Sequence, residues 1–134
     1  MRKLSITLFI ITFLSTAAFS RVHAEDSPLV GTWVNTNEDT RACPKFEITL
    51  TNEGTASFTW WGKTGSTHTE YGPFPMSLDE DGKTGTATHT TKFSEMVFTV
   101  KMKGSRAAME MATKYTDDSG RNAFELEEKF EKKK

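Results

Sequence analysis

Between residues 29 and 131 the apolar side chains recur at every second position and almost nowhere at helical spacing. Phe46, Ile48 and Leu50 alternate with Glu47 and Thr49, and Ala56, Phe58 and Trp60 with Ser57, Thr59 and Trp61. Met96, Phe98, Val100 and Met102 alternate with Val97, Thr99 and Lys101. Such alternation turns one face of a pleated strand inward and the other toward water. Phe124, Leu126 and Phe130 share one parity as well, and only Glu128 breaks it. Thr accounts for 18 of the residues after position 24, and β-branched side chains suit a pleated surface.

Gly, Asn and Asp gather between these runs, where turns call for positive φ. The punctuation falls at Asn52-Glu53-Gly54, Asp79-Glu80-Asp81-Gly82, Lys103-Gly104-Ser105 and Asp117-Asp118-Ser119-Gly120. The combined pattern predicts strands over 29–35, 44–51, 55–63, 67–76, 83–91, 94–103, 106–116 and 121–131. Eight strands with short connections predict an all-β fold, an eight-stranded antiparallel up-and-down barrel. The alternative is a two-sheet β-sandwich. Closure into a barrel removes the edges that a Thr-rich sheet otherwise exposes. Residues 107–114 (AAMEMATK) contain good helix formers, but they lie between two hairpin turns and run on into Tyr115-Thr116, so a strand is expected there.

The first 24 residues read differently. Met1, Arg2 and Lys3 give a positive start, residues 4–19 are apolar apart from Ser and Thr, and Val22-His23-Ala24 is a small-x-small site. That is the layout of a secretory signal peptide, with cleavage expected after Ala24 and a secreted or periplasmic product. Residues 25–131 then form a single domain, and 132–134 a charged tail. Of the 17 Lys+Arg, three lie in the leader, whereas all 18 Asp+Glu follow it, so the remainder is acidic. An acidic surface argues against nucleic acid as a partner. No later stretch approaches the ~18 apolar residues of a membrane span, so no membrane insertion is expected after leader removal. Cys43 is the single cysteine. An internal disulfide is therefore excluded, and the residue is expected to be buried, although a disulfide dimer or a free thiol stays open.

Residue patterns that carry catalysis are missing, and no enzyme is expected. His68 and His89 have no His-x-His or His-x-x-x-His spacing, and lone histidines in Thr-rich strands are expected in solvent, not on a metal. Gly62-Lys63-Thr64-Gly65-Ser66 lacks the spacing and following helix of a phosphate loop. Asp79-Glu80-Asp81-Gly82 lacks the remainder of a calcium loop and reads as a turn. No cofactor is implied. Aromatic content is more telling: 12 aromatic residues follow position 24, against nine Val, Ile and Leu together, with five Met beside them. A small barrel can use such side chains to fill its interior, or to line a cavity for one small molecule. Parity selects Trp33, Trp60, Phe98 and Tyr115 as lining, with Tyr71 and Arg121 near a mouth.

Gly31-Thr32-Trp33 at the start of the first strand resembles the Gly-x-Trp signature of lipocalins and avidins. That resemblance implies a Trp closing one end of the barrel, with a basic residue of the last strand, Lys129 or Lys132, packed over it. A longer likeness connects the chain to a family of small, mostly bacterial β-domains with no established activity. It is carried by Gly31-Thr32-Trp33-Val34-Asn35, Thr40-Arg41, Trp61-Gly62, Tyr71-Gly72, Asp117-Asp118-Ser119-Gly120-Arg121 and Glu128-Lys129-Phe130. Two cysteines of that family's pattern are Thr64 and Thr69 here, so its disulfide is absent and a looser hairpin is expected. Arg41 and Arg121 fall in its most regular motifs, either as ligand contacts or as side chains pairing with Asp39 or Asp117 in turns. Together these readings describe an exported lipocalin-like barrel binding a small apolar or aromatic molecule. The alternative is a protein-binding or envelope-associated module acting through loops 36–43 and 62–72.

Overall fold

The computed structural model describes residues 27–51 and 55–134. The expected leader (1–24) and the turn at Asn52-Glu53-Gly54 lie outside the described residues. The strands are β1 (Gly31–Asn35), β2 (Lys45–Leu50), β3 (Ala56–Thr64), β4 (Thr67–Leu78), β5 (Thr84–Thr90), β6 (Ser94–Lys103), β7 (Arg106–Tyr115) and β8 (Phe124–Lys132). Each pairs antiparallel with its sequence neighbours, and β8 pairs back onto β1 through Trp33↔Lys132, Val34↔Glu131 and Asn35↔Phe130. That last pairing closes the barrel and removes the sandwich alternative. The helix-forming segment within 106–115 is strand β7, held on both sides by β6 and β8.

The boundaries move for local reasons. β1 starts at Gly31, because residues 27–30 form a turn in which Val30 N–H donates to Ser27 O at 3.3 Å. β8 starts at Phe124 instead of 121, because Arg121 folds back onto the preceding turn, and it extends to Lys132. The β3–β4 hairpin reaches past its neighbours. At its end the hydroxyls of Thr64 and Thr69, the two residues that stand where the likened family's pattern has cysteines, approach to 3.2 Å.

Strand alternation decides what is inside. Trp33, Phe46, Ile48, Phe58, Phe98, Val100, Met109 and Phe130 are all fully buried. Phe46 is central: its ring centroid lies 4.7 Å from Phe130 edge-on, 5.7 Å from Phe58 and 6.1 Å from Trp33. Such aromatic pairs each add about 0.5–1.5 kcal/mol to the burial itself. These residues fill the half of the barrel nearest the chain termini, and Leu29 seals that end from the turn before β1. The opposite end carries the loops 36–44, 65–66, 91–93 and 116–123.

Candidate functional site

The loop-bearing half of the barrel is not filled. A cavity of about 630 Å³ opens there, walled by Trp60 of β3, Tyr71 of β4, Met96 of β6, Met111 and Thr113 of β7, and Phe124, Leu126 and Glu128 of β8. The β1–β2 loop covers one side through residues 39–42, and Lys63 and Thr64 complete the mouth. Phe124 and Leu126 show what the opening does: the register points them inward opposite Thr113 and Met111, yet they are 49% and 36% exposed. Their exposed surface lines the cavity.

The aromatic wall is built by an irregularity in β4. Phe58 pairs with Phe74, whereas Trp60 pairs with Tyr71, so β4 carries one extra residue across this step. Gly72 takes it up with φ of +118°, and a Cβ there would stand 2.8 Å from Phe58 O, so a side chain is excluded by both conformation and space. The bulge brings the Tyr71 ring onto Trp60, with centroids 4.7 Å apart and planes 25° from parallel.

His89 of β5 backs this wall and corrects the expectation of a solvated histidine. Its ring is half-buried, stacks on Phe74 at 4.6 Å, and lies 5.3 Å from Tyr71. Trp60 Nε1–H donates to His89 Nδ1 at 3.3 Å, which requires that nitrogen to be unprotonated. Burial also lowers the His89 pKa from 6.5. A neutral imidazole with its proton on Nε2 follows from this contact.

Further polar groups belong to the interior. Glu128 is the residue that broke the apolar parity of β8; its carboxylate accepts the Thr40 hydroxyl, with O···O distances of 2.6 and 2.9 Å. Thr40 is buried although it lies in a loop, and its hydroxyl oxygen also accepts from Ala42 N–H at 3.2 Å. Asn35 anchors the same loop, donating through Nδ2 to Cys43 O at 3.0 Å and accepting from Asn37 N–H at 2.8 Å. Thr113, only 6% exposed, has a hydroxyl oxygen without a hydrogen-bond partner among the described residues.

Of the six expected site residues, Trp60, expected in the lining, and Tyr71, expected near a mouth, line the cavity together. Trp33 and Phe98 are fully buried in the packed half instead; they have the expected inward parity but sit nearer the terminus end of the barrel. Arg121 sits in the β7–β8 loop at the mouth end, outside the cavity lining. It pairs with Asp117 at 2.9 Å, donates from Nε to Ser119 Oγ at 2.9 Å, and covers the Tyr115 ring at 3.9 Å. Hydrogen bonds from Ser119, and then Arg121, hold the Asp117 carboxyl below its ordinary pKa. Tyr115 is thereby committed to Arg121 and to Phe124, 6.3 Å away, and also lies outside the lining. Arg41 does border the cavity mouth. Residue pattern did not single out Met96, Met111, Thr113 or Glu128 for the site; the one available signal was Glu128 interrupting an inward-facing run. Comparison with protein-family models, curated proteins and solved structures gave no match.

Proposed function

We propose that the protein is an exported, lipocalin-like barrel that holds a small apolar or aromatic molecule in the open half of its interior. The observation that carries this reading is the division of that interior into a packed half and an open one. A volume of about 630 Å³ lies within the range of ~300–1,000 Å³ typical of small-molecule sites. Its wall combines the stacked Trp60–Tyr71 pair with two methionines, a surface suited to flat or irregular apolar bodies. A domain of this size gains stability by filling its core. Leaving Phe124 and Leu126 uncovered forgoes apolar burial worth about 25 cal/mol per Å², which a ligand would restore.

Native mass spectrometry of the protein purified from its own host's exported fraction tests this reading. The expected result is an added mass that disappears on denaturation. A clean unliganded mass, with no thermal shift across a panel of apolar molecules, would transfer the assignment to a surface-acting module working through loops 36–43 and 62–72. Recovery only from the unexported fraction would remove the export part alone.

A further inference from the structure

Charge is unevenly distributed in the cavity. Asp39, Arg41 and Lys63 stand exposed at its mouth, on the β1–β2 loop and the end of β3. Glu128 lies deeper, four residues along β8 from Phe124, or about 13 Å at the strand rise of ~3.3 Å per residue. It is one inward position above the fully buried Phe130. Among the described residues its carboxylate receives one hydroxyl, that of Thr40, and forms no ion pair. A hydroxyl supplies one proton, whereas a carboxylate offers about four acceptor sites. A carboxylate half-withdrawn from water and facing an apolar cavity is thus only partly satisfied.

We infer that the ligand of this cavity carries a cationic amine that pairs with Glu128, its apolar body lying upward against Met111, Leu126 and Phe124. The inference rests on the cavity being a ligand site, as proposed above. An ammonium group brings up to three donors to the open carboxylate positions, and charge-assisted hydrogen bonds are the strong ones. Trp60 and Tyr71 line the same space, and aromatic rings favour a cation over a neutral or anionic group. Arg41 and Lys63 could draw an anion to the rim. There, however, water and salt screen the charges, and Asp39 offsets one of them. Glu128 acts where screening is weaker, so it sets the sign of the ligand. The unpartnered hydroxyl of Thr113 in the same wall is a second sign that the polar groups of this interior are not arranged to satisfy one another.

Phenylbutylamine, phenylbutanol and phenylbutyrate share one apolar body and differ in the charge at its end, so calorimetric titration of the full chain with each tests the sign directly. The amine should bind about tenfold or more tightly than the alcohol. Glu128→Gln keeps an acceptor for Thr40, and so the loop, while removing the charge. It should bring the amine to within about threefold of the alcohol and leave the alcohol's affinity unchanged. An alcohol as tight as the amine, or a butyrate tighter than both, overturns the amine inference and leaves the cavity reading standing. Binding of none of the three at millimolar concentration overturns both. Should Glu128→Gln fail to fold, the wild-type ranking of the three probes still decides the matter.

Discussion

Lys132 and Trp33 face each other across the β1–β8 seam, with Nζ 5.6 Å from the indole ring and donating to Pro28 O at 3.2 Å. Trp33 in turn donates through Nε1 to Leu29 O at 2.9 Å, so the two side chains tie the turn before β1 to the closing strand. Lys132→Met keeps most of the stem and removes the charge. It should lower stability by about 0.5–1 kcal/mol, the worth of an exposed cation–π contact. Lys132→Ala should cost more, because it also removes the stem, which packs over Gly31. Urea denaturation of the two variants checks both statements; a neutral Lys132→Met would show that the ammonium adds nothing.

Cys43 is fully buried, and its thiol donates to Lys45 O at 3.2 Å. Burial pushes its pKa up to about 12. At pH 8 the folded protein should therefore resist iodoacetamide and run without a disulfide dimer on non-reducing electrophoresis, because the thiolate is the reactive form. In urea the thiol should label readily. Labelling of the folded protein at the denatured rate would contradict the burial.

Much of the barrel is written in local pattern, and the site only in part. Alternation in 94–103 and turn chemistry at Lys103-Gly104-Ser105 locate β6 and β7 without any long-range information. Of Lys129 and Lys132, the two basic residues that the Gly-x-Trp resemblance offered, it is Lys132 that stands over Trp33. Alternation gives a side chain's face and not its height, however. Phe98 and Tyr71 both point inward, yet one is packed and the other lines the cavity. Height depends on the stagger between strands, which is a property of the closed sheet. On β5, Gly85 and Ala87 are small, so the inward row ending in His89 carries too weak a hydrophobic signal to mark the histidine as inward. Thr40 is inside because its loop bends back to Glu128, 88 residues along the chain, and no local signal reports that.

His89 should give the protein an acid sensitivity of defined range. Its folded pKa is lowered by burial from 6.5, so the unfolded chain takes up a proton first as pH falls. Its contribution to stability is complete above about pH 6.5, is lost as pH drops through that value, and stops changing below the lowered folded pKa. Protonation at Nδ1 also sets an N–H against the Trp60 donor. The carboxyl of Asp117 is lowered from 3.8, and its contribution is lost only below that value, so the two windows are separate. His89→Gln should flatten the melting temperature profile between pH 7.5 and 5 relative to wild type. Parallel profiles for the two proteins would assign the sensitivity elsewhere.

Removing the Thr113 hydroxyl should stabilise the protein, the reverse of the usual effect of changing a buried residue. Thr113 lies on the inward face of β7, paired with Phe124 on one side and Met96 on the other, and neither neighbour offers a polar side chain. Its Oγ1 is buried without a partner among the described residues, and leaving such a group out of water costs about 1–3 kcal/mol. Valine has nearly the same shape and is as favourable in a strand. Thr113→Val should therefore raise the urea midpoint, by a free energy on the order of 1 kcal/mol. Thr113→Ala, which removes the hydroxyl but also the methyl group, should fall below Thr113→Val because it opens a void in the wall. If Thr113→Val instead loses stability, the hydroxyl has a partner in solution, and water entering the cavity from the mouth is the species that can reach that wall.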